Sequence, residues 1–278
     1  MIVTIGKFGG FCEGVKRAIE RAKNTPSACV LGDLVNNDKV VERLEKVGVK
    51  RVEKLEELSS FTPVIGASGV TKKELAYISR YPFVDATCPR VKKCIDLSVE
   101  ANDSSSTLLI VGDKLHKEVV NVASYCEKVK YVFSREEAEN FTFDEREKYA
   151  VIFQTTLPEN KAKEWGKILR KKAKNAVFYD TLCSAVKRRI LEGEEEAKNY
   201  DAVVVVGAKK SANCRFLYSS IKEVNDNTYF VSGKEDIPED LIGERVFVTG
   251  GASVDPKDIE DTALALAEKY GGEAVRKP

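Results

Sequence analysis

Residues 83–92 read Phe83-Val-Asp85-Ala-Thr-Cys88-Pro-Arg-Val-Lys92, and residues 178–187 repeat the pattern as Phe178-Tyr-Asp180-Thr-Leu-Cys183-Ser-Ala-Val-Lys187. The ending Cys-x-x-Val-Lys occurs a third time, as Cys12-Glu-Gly-Val15-Lys16. The distances between the three copies suit three small repeated units. Packed about one axis, such units bring their three thiols to one point.

Each copy is followed by the same order of predicted elements. Apolar residues three or four positions apart first predict a helix, over residues 15–22, 91–99 and 186–197. A short apolar strand ending in glycine comes next, at 30–32, 109–112 and 203–207. A second apolar run then breaks into small polar residues, at 64–68, 151–155 and 246–250.

Continuous apolar strands that alternate with helices indicate parallel strands buried on both faces. We therefore predict an α/β fold of three small lobes with mostly parallel sheets, in a pseudo-threefold trefoil around a central metal cluster. The lobes span residues 10–88, 89–182 and 183–278, and residues 1–9 complete the third. The first cysteine has only the strand Ile2–Ile5 before it, and we expect this strand to join the third sheet.

The composition indicates no bulk attraction to nucleic acid or membrane, because 45 basic residues face 44 acidic ones. No run of about 18 apolar residues and no secretory leader is present, so we expect a cytoplasmic protein. Charged residues reach 32%, with one Met and one His. That balance predicts a heat-adapted source.

The repeated cysteines, Cys12, Cys88 and Cys183, are candidate metal ligands. Each lies where a strand gives way to a helix, and a helix N-terminus favours the thiolate form of cysteine. Three thiolates suit an iron–sulfur cubane with one open iron, or a zinc ion with an open position, and the spacing leaves both possible. The remaining cysteines have no counterparts in the repeat, and we expect them to be buried thiols: Cys29, Cys94, Cys126 and Cys214.

Six segments match one known family in family order, from residue 6 to about residue 260. They are Gly10-Phe-Cys-Glu-Gly-Val-Lys-Arg-Ala-Ile19, Asp85-Ala-Thr-Cys-Pro89, Gln154-Thr-Thr-Leu157, Asp180-Thr-Leu-Cys183, Ser211-Ala-Asn213 and Gly251-Ala-Ser253. On these segments the chain resembles the 4-hydroxy-3-methylbut-2-enyl diphosphate reductase family.

The resemblance implies a three-lobed α/β fold and a [4Fe-4S] cluster held by Cys12, Cys88 and Cys183, with one iron left for the substrate. It implies an oxidoreductase of the non-mevalonate isoprenoid pathway. The reaction removes the hydroxyl of an allylic diphosphate and yields isopentenyl and dimethylallyl diphosphate. The implied electron donor is a ferredoxin or flavodoxin, and the chain lacks the Gly-x-Gly-x-x-Gly fingerprint that direct use of NADPH would need.

The resemblance also assigns roles to single residues. Glu118 corresponds to the family's essential acid, which delivers a proton, and Thr155 to the threonine that bonds the substrate hydroxyl. Four further residues correspond to groups that hold the diphosphate: His116, Ser211, Asn213 and Ser253. Short hydroxyl and amide side chains near helix N-termini suit that ligand.

Two diphosphate positions depart from the family. Asn36 and Ser68 stand where the family has histidines, and both can still donate hydrogen bonds to the substrate. Nearby lysines offer positive charge: Lys114, Lys117, Lys209 and Lys210. These departures leave two alternatives open, a paralogue whose cluster reduces or dehydrates another small molecule, and a non-catalytic electron-transfer or sensor protein.

Overall fold

A computed structural model describes residues 1–114, 116–241 and 243–277. Within these residues the chain forms thirteen strands and ten α-helices. The strands are β1 (Ile2–Ile5), β2 (Ala28–Leu31), β3 (Lys50–Val52), β4 (Thr62–Ile65), β5 (Val84–Asp85), β6 (Thr107–Val111), β7 (Val129–Val132), β8 (Tyr149–Phe153), β9 (Ala176–Phe178), β10 (Ala202–Val206), β11 (Thr228–Val231), β12 (Arg245–Gly250) and β13 (Glu273–Arg276). The helices are α1 (Glu13–Lys23), α2 (Asp38–Lys46), α3 (Lys72–Ile78), α4 (Pro89–Asp103), α5 (Lys117–Ala123), α6 (Arg135–Asn140), α7 (Glu159–Lys172), α8 (Ser184–Ala197), α9 (Ala212–Lys222) and α10 (Pro256–Lys269).

The strands form three sheets, and all pairings found among the described residues are parallel. The strand orders are β3-β2-β4-β5, β7-β6-β8-β9 and β11-β10-β12-β1-β13. The first two sheets share one order. In the third sheet β1 takes the place of the fourth strand, so the N-terminal strand completes the third sheet as predicted.

The predicted fold class, three α/β lobes with parallel sheets, is confirmed. Helices α1, α4 and α8 cover the predicted helical ranges, and the predicted strands are found as β2, β6, β10, β4, β8 and β12. Sequence reasoning missed β3, β7, β11 and β13, which lie at the sheet edges. The strands of each sheet all come from one of the three predicted lobes. The exact lobe boundaries stay a prediction.

The chain divides into two compact units. The first unit comprises residues 1–16, 35–44 and 184–278 and holds the five-stranded sheet. The second comprises residues 17–34 and 45–183 and holds both four-stranded sheets. No helix in the described part of the chain is long and apolar enough to cross a lipid bilayer.

Burial on both faces explains the uninterrupted apolar strands of the second unit. Every residue of β6 is buried, and successive side chains of a strand point to opposite faces. Leu108 and Ile110 pack with apolar residues of α4 and α5. Leu109 and Val111 pack with residues of α6 and α7 on the other side.

The first unit is built in the same way around β10, whose residues are all buried. Val204 and Val206 share a core with Ile259 and Leu266 of α10. Helices α8 and α9 approach each other closely at Gly193, where an added Cβ would lie 2.5 Å from Ile221 Cδ1. A side chain at this position would require the Ile221 side chain to move.

Candidate functional site

The three repeated cysteines occupy equivalent positions directly before a helix. Helices α1, α4 and α8 begin one residue after Cys12, Cys88 and Cys183. These thiols are half-buried and the other four cysteines are buried, and none of the seven forms a disulfide within the described residues. The prediction that Cys29, Cys94, Cys126 and Cys214 are buried thiols is therefore confirmed.

The backbone of each repeated cysteine is held in the same way. Its N–H donates to a carbonyl two residues beyond the end of β12, β4 or β8. The pairs are Cys12 with Ala252 at 3.1 Å, Cys88 with Ala67 at 3.0 Å and Cys183 with Thr155 at 2.8 Å. Each cysteine is thereby fixed at the carboxyl end of its parallel sheet, where open α/β sheets bind ligands.

Basic side chains fix the backbone just ahead of each cysteine. The donors come from the helix that follows a different cysteine of the repeat. The contacts are Arg17 with the Thr87 carbonyl, Lys93 with the Asp180 carbonyl at 3.0 Å, and Arg189 with the Gly10 carbonyl at 2.6 Å. Sequence reasoning missed these residues, although a basic residue five or six positions after each cysteine was the available signal.

Burial distinguishes the three repeated cysteines from the other four as possible metal ligands. Burial raises the pKa of the Cys29 thiol to about 11, against a weaker lowering by Lys50. Burial also raises the pKa of the Cys94 and Cys214 thiols. A thiol kept protonated by burial is a poor metal ligand, and the three repeated thiols are only half-buried. The repeated cysteines therefore suit a thiolate-bound metal centre.

No group of three or more His, Cys, Asp or Glu side chains among the described residues is arranged to hold one metal ion. Cys12 belongs to the first compact unit, while Cys88 and Cys183 belong to the second. A shared cluster on the three cysteines therefore stays a prediction, supported by the donor chemistry and by the repeated backbone geometry.

The structure brings Glu118 and Thr155 together in the second unit. Glu118 lies in the first turn of α5 and is only 4% exposed. Thr155 donates from its backbone N–H to Glu118 Oε1 at 2.7 Å and from its hydroxyl to Oε2 at 2.6 Å. Because the Thr155 carbonyl also accepts from Cys183, one residue links a buried acid to a candidate metal ligand.

His116 caps the helix that carries Glu118. Its Nδ1 accepts from the Glu118 backbone N–H at 3.3 Å. A neutral imidazole with one nitrogen accepting carries its proton on the other. Nε2 is therefore the nitrogen of this half-buried side chain that can donate a hydrogen bond.

The loop that carries Ser68 is tied to the C-terminal half of α5. Asn121 is 2% exposed, and its Nδ2 donates to the carbonyls of Ser68 at 3.0 Å and Gly69 at 2.9 Å. The Tyr125 hydroxyl donates to the Val70 carbonyl at 3.1 Å. Ser68 itself is half-buried and lies on a loop fixed to the helix of Glu118.

Replacing Asn121 by alanine is expected to destabilise the protein by about 1–3 kcal/mol, because buried carbonyls would lose their donor. Urea denaturation monitored by circular dichroism measures this change. The matched control is Asn102→Ala, which removes one solvent-exposed bond with the Glu127 N–H and should cost less than about 0.5 kcal/mol. Equal effects of the two substitutions would contradict the role given to Asn121.

In the first unit, two candidate diphosphate ligands carry unused donors. Asn213 is 9% exposed and Ser253 is 8% exposed. Their Nδ2 and Oγ atoms are buried without a hydrogen-bond partner in the described part of the protein. Buried polar groups are normally satisfied, so these two donors can serve a ligand that supplies acceptors.

The elements around these donors lie in close contact. Ser211 is the N-cap of α9, and its Oγ accepts from the Cys214 N–H at 3.4 Å. An added Cβ at Gly251 would come within 2.1 Å of Cys214 Sγ. Glycine at this position therefore lets the Gly251–Ser253 loop lie against the first turn of α9.

Asn36 is exposed, while its neighbour Asn37 is buried in the first unit. Asn37 Nδ2 donates to the Ser253 carbonyl at 2.9 Å. Further along the same segment, Arg43 pairs with Asp255 at 2.9 Å and with Asp258. Sequence reasoning missed Asn37, which fixes both the backbone beside Asn36 and the loop of Ser253.

Two of the lysines singled out from the sequence have defined surroundings. The Lys117 side chain approaches Gly32, and its Nζ lies 3.8 Å from the position that a Cβ on Gly32 would occupy. Lys210 forms an exposed ion pair with Asp38 at 2.5 Å. Lys114 and Lys209 are exposed.

The chain combines parallel α/β lobes, three half-buried thiols that each stand directly before a helix, and a buried Glu–Thr pair. These features define a class of three-lobed α/β proteins built around repeated cysteines. Residues 3–267 match the model of the LytB protein family. The chain belongs to this family.

Curated relatives match over nearly their whole length. A 4-hydroxy-3-methylbut-2-enyl diphosphate reductase of Caldanaerobacter subterraneus subsp. tengcongensis is 33% identical, with 98% of each chain covered. The protein of the same name from Thermoanaerobacter sp. (strain X514) is 32% identical, covering 94% of this chain and 95% of the relative.

Solved structures of reductases share the fold. The E-1-hydroxy-2-methyl-but-2-enyl-4-diphosphate reductase from Plasmodium falciparum superimposes with a TM-score of 0.90 at 22% identity, covering 99% of this chain and 92% of that one. A structure of (E)-4-hydroxy-3-methyl-but-2-enyl diphosphate reductase, the terminal enzyme of the non-mevalonate pathway, gives a TM-score of 0.70 at 27% identity over 96% and 99%. This likeness confirms the trefoil α/β fold class.

Proposed function

We propose that this chain is a 4-hydroxy-3-methylbut-2-enyl diphosphate reductase, an oxidoreductase of the non-mevalonate isoprenoid pathway. The substrate takes up two electrons and two protons, the allylic C–O bond breaks, and water leaves with isopentenyl or dimethylallyl diphosphate as product. The single observation that carries the proposal is the arrangement of Thr155. Its hydroxyl donates a hydrogen bond to Glu118, and its carbonyl accepts one from the Cys183 N–H.

Cys12, Cys88 and Cys183 are the residues we assign to a [4Fe-4S] cluster. When bound, such a cluster supplies a Lewis-acidic iron and the route for electrons. The three half-buried thiols, each directly before a helix, suit it. A zinc centre on the same thiols is the alternative, and iron analysis of anaerobically purified protein separates the two.

The diphosphate is assigned to the donors of the first unit and to His116. Asn213 Nδ2 and Ser253 Oγ are buried donors without partners among the described residues, and hydrogen bonds to charged oxygens are the strong ones. Ser211 lies at the N-terminus of α9, an end that favours anions. His116 Nε2 adds a donor from the second unit, and Asn36 and Ser68 stay assigned as further contacts.

Glu118 and Thr155 are assigned to proton delivery. Their oxygens lie 2.6 Å apart, so a proton can pass between Glu118 Oε2 and Thr155 Oγ1. The hydroxyl of Thr155 then bonds the substrate hydroxyl, which must be protonated to leave as water. Burial of both side chains excludes bulk water from this transfer.

Replacing Asn213 by alanine is expected to raise the KM for the diphosphate by about 10- to 100-fold, because one hydrogen bond to a charged oxygen is lost. The free energy of unfolding without substrate should not fall, since Asn213 Nδ2 has no partner within the described residues. Steady-state kinetics and urea denaturation measure the two quantities. A destabilised variant with an unchanged KM would contradict the assignment.

The experiment that tests the function is anaerobic turnover of cluster-reconstituted protein with 4-hydroxy-3-methylbut-2-enyl diphosphate and reduced methyl viologen. Formation of isopentenyl and dimethylallyl diphosphate is the expected result. The absence of histidine at Asn36 and Ser68 favours one second candidate, a paralogue with another small-molecule substrate. No turnover by protein verified to hold iron and sulfide would favour that paralogue.

We place the reaction in the cytoplasm, with a ferredoxin or flavodoxin as the electron donor. A purely electron-transferring or sensing protein would need neither Glu118 nor Thr155 in their buried contact. The heat adaptation inferred from composition stays a prediction that thermal unfolding can test.

A further inference from the structure

One face of the second unit combines an apolar centre with a positively charged rim. Strand β9 is the edge strand of its sheet, and Val177 on it is 58% exposed. Two grooves of about 580 and 520 Å³ adjoin this strand, and Tyr179 lines both. We call β9, Tyr179 and these two grooves the β9 face. Nothing in the proposed mechanism uses it.

The charge of the β9 face comes mainly from α7. This helix carries six basic and two acidic side chains, in a protein whose net charge is only +1. Lys163, Lys167, Arg170 and Lys171 recur at helical spacing and line the larger groove. Such a stripe concentrates positive potential on one face.

Part of this charge is not balanced within the protein. Lys163 pairs with Glu159 at 3.1 Å, and the Arg170 guanidinium lies 4.0 Å from the centre of the Phe178 ring. Lys167 and Lys171 are exposed and form no ion pair with any described residue. They are therefore available to an acidic partner.

The larger groove is continuous with the segment that ends in a candidate cluster ligand. Leu182 lines the groove, and Cys183 follows it directly, about 3.8 Å away between Cα atoms. Thr181 anchors this segment to β8, because its Oγ1 accepts from the Phe153 N–H at 2.9 Å and donates to the Phe153 carbonyl. A partner on this groove would sit against the residue next to Cys183.

We infer that the β9 face docks a small acidic electron-carrier protein, with Lys167 and Lys171 as its charged contacts. The inference rests on the proposed function, which consumes two electrons per turnover. The sequence has no dinucleotide fingerprint, so the electrons enter from outside the chain. Two reduced one-electron carriers dock in succession, each gives up one electron and leaves oxidised, and the substrate takes both electrons with two protons.

An apolar centre within a charged rim is the usual composition of a protein interface. Complementary charge at the rim raises the rate of encounter and makes binding sensitive to salt. A nucleic acid would use the charge of α7 but would have no use for the apolar centre. The protein carrier is therefore the occupant that the β9 face fits.

The test compares Lys167→Glu/Lys171→Glu with Lys198→Glu/Lys257→Glu, which changes the net charge equally at exposed lysines elsewhere. The probe is an acidic [2Fe–2S] ferredoxin. Calorimetry with the oxidised ferredoxin should give a Kd raised about tenfold for the first variant only, with a weaker salt dependence. The KM for reduced ferredoxin should rise similarly, while turnover with methyl viologen stays at the wild-type level.

Equal weakening by both double variants, or tighter binding of wild-type protein to duplex DNA than to ferredoxin, would overturn the proposal. Lys167→Gln/Lys171→Gln should raise the Kd for ferredoxin in the same direction but by a smaller factor. This neutral variant replaces Lys167→Glu/Lys171→Glu if the latter unfolds. Calorimetry does not depend on turnover. If wild-type protein lacks viologen-driven activity, the proposed function fails, while the docking result still decides the role of the β9 face.

Discussion

Cys88→Ser is expected to lose iron and to lower reductase turnover by more than about 100-fold. Loss of a group that only hydrogen-bonds a metal ligand costs up to about 100-fold, and Cys88 is assigned as a ligand itself. A serine hydroxyl is a hard oxygen donor and a poor replacement for a soft thiolate. The fold should survive, because Cys88 is the N-cap of α4 and serine is a favoured N-cap residue. Iron and sulfide analysis, visible absorption and viologen-driven turnover measure the loss.

The control for this substitution is Cys126→Ser. Cys126 Sγ lies 3.5 Å from the Lys128 carbonyl, to which a serine hydroxyl can also donate. We expect this variant to keep its iron and its turnover. Without metal, Cys88→Ser should be at least as resistant to urea as the unsubstituted protein. A Cys88→Ser protein with full iron content would remove Cys88 from the ligand set.

Glu118→Gln is expected to lower kcat by about 10²–10⁴-fold, the usual contribution of a positioned acid or base. Glutamine keeps the shape of the side chain, and its amide can hydrogen-bond Thr155 at both points where Glu118 now accepts. It cannot hand a proton to the leaving hydroxyl. Iron content and the KM for the diphosphate should stay near the unsubstituted values, so the loss falls on kcat.

Glu74→Gln is a closely matched control. Glu74 accepts from the backbone N–H of Thr71 at 2.7 Å and from its hydroxyl at 2.9 Å, the same pair of contacts that Glu118 makes with Thr155. Both substitutions should change the free energy of unfolding by similar amounts, about 1–2 kcal/mol. Only Glu118→Gln should lower kcat. An equal loss in both variants would show that the effect is structural.

The sequence determined the repeated part of the fold. Cys-x-x-Val-Lys, the helix after it and the two apolar strands recur three times, and all of them are found where the periodicity predicts them. Apolar periodicity reports burial, so strands buried on both faces leave a clear signal. The edge strands β3, β7, β11 and β13 were missed because their side chains are partly solvated and their patterns are short.

The candidate residues were also chosen from the sequence, through the repeat and the family resemblance. Tertiary structure added the contacts that hold them. Asn121 donates to the backbone of the Ser68 loop from 53 residues away, and Asn37 donates to the Ser253 carbonyl from 216 residues away. An asparagine that bonds a distant carbonyl has the same local pattern as one that faces solvent.

The sequence by itself determined which residue types recur and which elements carry them, because helix and strand periods depend on neighbours along the chain. Only the tertiary structure decided that Glu118 is buried against Thr155 and that Asn213 and Ser253 keep unused donors. It also decided that the cations of α7 line one groove with Leu182, the residue before Cys183. The physical reason is that burial, pairing and local potential depend on groups brought close in space. The number of residues between two such groups along the chain does not indicate whether they are close in space.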